Sequence, residues 1–197
     1  MIAIIDYGAG NLRSVQNTLD EIGADYKVLQ NSDGLASASK VILPGVGHFG
    51  QMMRALDSRE LREPLAKIIG AGTPFLGICL GLHGLFDDSE EAEDVQGLGI
   101  YPGTVRRFAL DARVPHMGWN ELERRRNSRL LEGLPERPYV YFAHSYYVPA
   151  SDLTAAACTY VTAYTAILEK DNVFGVQFHP EKSGPVGLRI VKNFLDL

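Results

Sequence analysis

One segment has the residue types and spacing of a nucleophile site. It is Gly77-Ile78-Cys79-Leu80-Gly81, between an apolar run that reads as a strand and a short helical pattern. This is the nucleophile-elbow pattern with cysteine in place of serine. The chemistry asks for the glycines: the nucleophile stands on a strained strand-to-helix turn, where side chains on its flanks clash with neighbouring backbone. The following helix points its N-terminus at the sulfur, and its partial positive charge favours thiolate over a thiol whose free pKa is ~8.5. The plain alternative is a buried structural cysteine in a glycine-rich turn.

A cysteine nucleophile needs a base, and the base needs an acceptor to orient it. The histidines are His48, His83, His116, His144 and His179. His179 lies in Gln177-Phe178-His179-Pro180-Glu181, at the end of a predicted strand. Residues two apart on an extended chain point the same way, so Glu181 can fix the tautomer of His179, with Pro180 stiffening the spacing. Alone, such a segment reads as a surface turn; its pairing with Cys79 makes it a candidate. The third requirement is an oxyanion hole. The Leu80 N–H is one donor. Pro44-Gly45-Val46-Gly47 follows a strand and is glycine-rich, so Val46 or Gly47 can supply another. Each donor is worth roughly 2.7–4 kcal/mol in the transition state. A dinucleotide reading of Gly8-Ala9-Gly10-Asn11-Leu12-Arg13 fails, because Arg13 occupies the third glycine position and no acidic residue falls near Asn31.

The elements that position these residues alternate in the first half. Ile2–Ile5, Tyr26–Leu29, Val41–Leu43 and Phe75–Ile78 read as buried strands. Leu12, Val15, Leu19 and Ile22 recur at helical spacing and Gly23 ends them. Residues 51–70 read as one or two helices, divided or begun near Pro64, and Leu80 to Phe86 as a short helix. Strand-helix alternation predicts a mostly parallel sheet with helices on both faces. The second half reads as β-rich and antiparallel. Asp87 to Asp94 reads as a solvated acidic loop. Val105–Phe108, Trp119–Leu122, Tyr139–Val148, Ala155–Tyr160, Thr165–Leu168 and Val173–Phe178 read as strands. Lys170-Asp171-Asn172 is a hairpin turn, and Gly187–Leu197 a closing helix. No linker divides the chain, so residues 1–197 are expected to form a single α/β domain.

The 197 residues are 46% hydrophobic and 22% charged, the balance of a globular chain with a core of its own. A net charge of −5 lacks the basic excess of a nucleic-acid footprint. No run approaches the ~20 apolar residues that span a bilayer, and the start lacks the pattern of a secretory signal. Two cysteines, Cys79 and Cys158, make no disulfide framework, and the expected setting is cytoplasmic with reduced thiols. No metal-ligand spacing is present, so neither a metal nor a cofactor is expected. Cys158 reads as a small buried residue.

Together these segments resemble the class I (triad) glutamine amidotransferases, whose two signatures are the Cys79 elbow and the Gln177–Glu181 strand end. The likeness narrows to the glutaminase-subunit family of imidazole glycerol phosphate synthases through five further segments. They are Asp6-Tyr7-Gly8-Ala9-Gly10-Asn11, Pro44-Gly45-Val46-Gly47, Pro115-His116-Met117-Gly118-Trp119-Asn120, Tyr141-Phe142-Ala143-His144-Ser145-Tyr146-Tyr147 and Glu181-Lys182-Ser183. The resemblance implies a class I amidotransferase fold. It implies that Cys79 attacks the side-chain amide of L-glutamine, that His179 oriented by Glu181 passes a proton to the leaving ammonia, and that water hydrolyses the thioester. It implies oxyanion donors at Val46, Gly47 and Leu80, and glutamine contacts at Gly47, His83, Ser145 and Tyr146. It also implies a heterodimer with a (β/α)8-barrel cyclase that receives the ammonia in histidine biosynthesis, docked on Asn11, Met117, Trp119, Tyr141 and Lys182.

One departure stands out. The family usually continues the elbow with Gly-Met-Gln, and here the chain reads Gly81-Leu82-His83-Gly84. A neutral His83, on the helix face of Cys79, still donates one hydrogen bond and is expected to replace the glutamine. Gly84 weakens the short helix by roughly 0.5–1 kcal/mol. Other readings are the glutaminase subunit of pyridoxal phosphate synthase, a free-standing cysteine hydrolase, and a non-catalytic binding subunit of the same fold. Against the first stand the Met117–Asn120 and His144–Tyr147 segments. The second requires full turnover without a partner, and the third a thiol that no glutamine analogue labels.

Overall fold

The strands alternate their side chains between two helical layers, and this sets the architecture. The computed structural model describes residues 1–8, 11–109 and 112–197. The elements run β1 (Ile2–Ile5), α1 (Leu12–Ile22), β2 (Tyr26–Leu29), β3 (Lys40–Gly45), α2 (Phe49–Ser58), α3 (Arg62–Gly70), β4 (Phe75–Cys79) and α4 (Leu80–His83). There follow β5 (Phe86–Ser89), β6 (Tyr101–Arg107), β7 (His116–Glu121), β8 (Glu123–Arg124), β9 (Tyr139–His144), β10 (Tyr146–Tyr147), β11 (Thr154–Tyr160), β12 (Thr162–Lys170), β13 (Val173–Val176) and α5 (Gly184–Leu195). The main sheet has the order β2-β1-β3-β4-β13-β12-β11-β8. Its first five strands are parallel and the remaining pairings antiparallel. Ala3, Ile5, Val41, Leu43 and Phe75 face α2 and α3, packing on Met52, Leu56 and Leu65. Their neighbours Ile4, Ile42, Leu76 and Ile78 face α1 and α5, packing on Leu19, Ile190 and Phe194. Burial on both faces explains why these strands read as unbroken apolar runs.

Gly23 ends α1 in the left-handed conformation, as its position after the periodic residues required. Residues 51–70 form two helices, with Pro64 in the first turn of α3. Ala9 and Gly10 of the sequence motif lie outside the described residues.

Several bounds shift, with β6 starting at Tyr101, β13 ending at Val176 and α5 spanning Gly184–Leu195, and four expectations need fuller correction. The helix after the elbow ends at His83, not Phe86, because Gly84 caps it and the chain turns straight into β5. The acidic stretch is not a free loop: its first residues lie in β5, which pairs in parallel with β6, and three of its carboxylates accept hydrogen bonds. Asp87 accepts from the Gly103 N–H, Glu90 binds Arg106 and the Arg107 N–H, and Glu91 accepts from the Phe49 N–H. The run 139–148 breaks at Ser145 into β9 and β10, which join different sheets. The segment expected at 119–122 begins at His116, where β7 pairs with β9 to form a separate two-stranded ribbon.

Candidate active site

The C-terminal ends of β1, β3, β4 and β13 converge on one edge of the parallel sheet, where ligands bind in open α/β folds. Cys79 is the last residue of β4, with φ 53° and ψ −105°. Non-glycine residues rarely adopt positive φ, and packing must hold this one there. The glycines supply that packing. A Cβ on Gly77 would lie 2.5 Å from the Gly81 carbonyl oxygen, and one on Gly45 would lie 2.6 Å from the Leu80 Cβ. Strand β4, α4 and β3 therefore touch backbone to backbone around the sulfur. The helix has only four residues, so the macrodipole expected to act on Cys79 is weak.

His179 follows β13 and is 2% exposed. Its Nδ1 lies 2.9 Å from Glu181 Oε1, so the orienting pair has formed. Burial alone would lower the imidazole pKa. Interaction with the Cys79 sulfur, and then with Glu181, outweighs it and pushes the pKa up to about 10. Glu181 Oε1 also accepts from Asn11 Nδ2 at 3.3 Å. Asn11 thus points inward to the carboxylate, in addition to its expected place on a docking face.

A cavity of about 220 Å³ opens over these groups, lined by Val46, Gly47, Cys79, Leu80, His83, Ser145, Tyr146 and His179. Every residue expected to contact substrate or oxyanion lies on this one wall. The volume falls below the ~300–1,000 Å³ of sites for drug-sized ligands and suits a small metabolite. Gly47 has φ 101°, a backbone state that glycine adopts without strain. The Leu80 N–H opens α4, where the first amides have no intrahelical acceptor. Val46 departs from expectation: its N–H donates to the Tyr7 hydroxyl at 3.3 Å rather than toward the cysteine. The Tyr7 hydroxyl is also 3.3 Å from the Val46 carbonyl oxygen.

His83 meets the sulfur only through an intervening amide. Its Nε2 lies 2.7 Å from Gln177 Oε1, and Gln177 Nε2 lies 3.6 Å from Cys79 Sγ. Burial lowers the His83 pKa to about 4, keeping the ring neutral near pH 7. Sequence reasoning passed over Gln177, Tyr7 and His144. All three stand in segments that signalled a site, but their contacts are made across the fold.

The β7/β9 ribbon carries the residues expected to meet a partner. Its inward face buries His116, Phe142 and His144, and its outward face leaves Met117 65% and Trp119 56% exposed. The Trp119 and Tyr141 rings are 6.1 Å apart, and Lys182 Nζ lies 5.8 Å from the Tyr141 ring. Tyr139, 54% exposed, joins this patch without having been expected there. The patch is wired to the site: the Tyr141 carbonyl accepts from the His179 N–H, and the Tyr141 N–H donates to Ser183 Oγ.

The model of the family described as glutamine amidotransferase class-I matches residues 3–197. The chain belongs to that family. The amidotransferase is 47% identical, over 98% of its own length and 93% of the other, to "Imidazole glycerol phosphate synthase subunit HisH" of Desulfitobacterium hafniense (strain DSM 10664 / DCB-2). It is 49% identical to the protein of the same name from Methanothermobacter thermautotrophicus, over 100% of this chain and 98% of that one. Among solved structures it is similar to a glutamine amidotransferase with a TM-score of 0.77, at 19% identity over 100% of this chain and 98% of that one. That likeness supports the class I fold alone. Among the described residues, no helix is long and apolar enough to cross a membrane.

Proposed function

We propose that this amidotransferase hydrolyses L-glutamine and delivers the ammonia to a cyclase subunit, as one half of an imidazole glycerol phosphate synthase in histidine biosynthesis. The observation that carries the reading is the strained Cys79, set in one small cavity with a buried His179 whose far nitrogen is held by Glu181. The thiolate attacks the carboxamide carbon. His179 carries the proton that the departing ammonia takes up. Water then attacks the glutamyl thioester, His179 accepts a proton from it, and glutamate leaves as the thiolate re-forms. The Leu80 N–H faces the developing oxyanion, with a second donor from Gly47, or from Val46 once its N–H, withheld here by the Tyr7 hydroxyl, turns toward the sulfur. His83, Ser145 and Tyr146 line the space for the glutamine.

The partner in this reading is a (β/α)8-barrel cyclase docked over Met117, Trp119, Tyr141, Lys182 and Asn11. What supports this reading is the pair of hydrogen bonds that link Tyr141 to the His179–Ser183 segment. The whole chain acts as one domain, in a cytoplasmic setting. An electrophilic glutamine analogue tests the site directly. Mass spectrometry should find one adduct on Cys79, blocked by excess L-glutamine. An unlabelled Cys79 in the complex would refute the assignment and leave a binding subunit of the same fold.

A further inference from the structure

The triad does not account for Gln177. Its side chain is wholly buried next to the reacting sulfur. A buried primary amide is costly unless both ends are paired, and here both are. Nε2 reaches Cys79 Sγ and Oε1 reaches His83 Nε2. The chemistry of the sulfur fixes which end faces it. A thiolate only accepts hydrogen bonds, so the N–H end must point at Cys79. The amide oxygen then faces His83, and an amide oxygen only accepts, so His83 Nε2 carries the proton. The Nδ1 of His83 is left as an acceptor, and among the described residues it has no partner. A histidine protonated on both nitrogens would leave a buried donor facing nothing, and burial holds His83 neutral.

We propose that Gln177 is a catalytic donor to the Cys79 thiolate, and that His83 is the positioning residue that fixes its amide with the N–H toward the sulfur. The proposal rests on Cys79 as the nucleophile. It gives His83 a task apart from touching substrate. A glutamine at position 83 could place an N–H at the same point, whereas an apolar residue could not. The donor acts twice: it favours the thiolate before attack and again when the sulfur leaves the thioester. The other ionisable groups around the sulfur are His179 backed by Glu181, Tyr7, Tyr164, and His144 and Glu91 across the cavity. They remain in every variant below, so differences between variants report on the amide.

The test is iodoacetamide alkylation of Cys79 in the full chain as a function of pH, read by peptide mass. Gln177→Leu and His83→Leu should move the profile up by about one pH unit, roughly tenfold slower at fixed pH below its midpoint. His83→Gln should leave the profile in place. With glutamine as substrate, Gln177→Leu should lower kcat with KM little changed. A folded Gln177→Leu variant with the wild-type alkylation profile overturns the proposal. Should that variant fail to fold, coincident profiles for His83→Leu and His83→Gln overturn it equally. Alkylation requires no glutamine, so the two readings fail separately. A Gln177-dependent profile in a chain inert toward glutamine would remove the substrate and keep the donor.

Discussion

Gly77→Ala is the substitution that most directly probes how the elbow is held. The added Cβ would lie 2.5 Å from the Gly81 carbonyl oxygen, 2.6 Å from the Gly81 carbonyl carbon and 2.8 Å from the Leu82 nitrogen. All three are backbone atoms of α4, so no side chain can swing aside. Comfortable separations between such atoms are ~3.5 Å, so α4 must back away from β4 by about 1 Å. Overpacking of this kind costs about 1–3 kcal/mol, which for a chain of this length lowers Tm by about 2–12 °C. The larger effect falls on chemistry, because α4 carries the Leu80 N–H and follows Cys79 directly. A displacement of ~1 Å at a reacting centre costs on the order of 100-fold in rate. Gly70→Ala is the control: it ends α3, nothing lies within 4 Å of its new Cβ, and it should be neutral or gain about 0.5–1 kcal/mol. The assays are calorimetric melting and glutamate release in the complex. Wild-type Tm and turnover for Gly77→Ala would refute the backbone-to-backbone account of the elbow.

Other consequences can be checked more quickly. Trp119→Ala should weaken binding of the cyclase by about 30-fold in titration calorimetry while leaving Tm unchanged, since Trp119 is exposed; equal affinity would remove it from the interface. Tyr7→Phe removes the hydroxyl that engages the Val46 N–H and should raise the glutaminase rate of the isolated chain; an unchanged or lower rate contradicts Val46 as a withheld donor. Burial holds His83 and His144 neutral, with pKa values pushed down to about 4 and about 3. Below pH 6.5 the unfolded chain binds protons that the native state refuses, so stability should fall between pH 6.5 and 4 by up to about 1.4 kcal/mol per unit per histidine. Urea midpoints that do not change from pH 7 to 5 would contradict this. His179 has the opposite sign, contributing stability below pH 6.5 that is lost as pH rises through about 10.

The parallel half of the fold was legible because strands buried on both faces leave unbroken apolar runs, as Val41–Leu43 and Phe75–Ile78 do. Strand β5 was hidden because its Asp87 and Asp88 suggest solvent, while the Gly103 N–H that holds Asp87 arrives 16 residues later. The β7/β9 ribbon was readable as strands, but alternation alone does not say which face meets water; Met117 and Trp119 turn outward because His116, Phe142 and His144 fill the inside. Within the site, Cys79, His179 and Glu181 are short-range patterns on a strand end and a turn. The amide of Gln177 takes its meaning from Cys79 and His83, 98 and 94 residues away, and Tyr7 from Val46, 39 away. Contacts of that range are set by the order of strands in the sheet. They become visible only once β1, β3, β4 and β13 are placed with their ends together.

Release of glutamate from L-glutamine, measured for the chain alone and mixed with its cyclase and the cyclase's ligand, tests the central claim most directly. The account predicts a large rise on mixing, abolished by Cys79→Ala. A rate that the cyclase leaves unchanged, or one that survives Cys79→Ala, would contradict it.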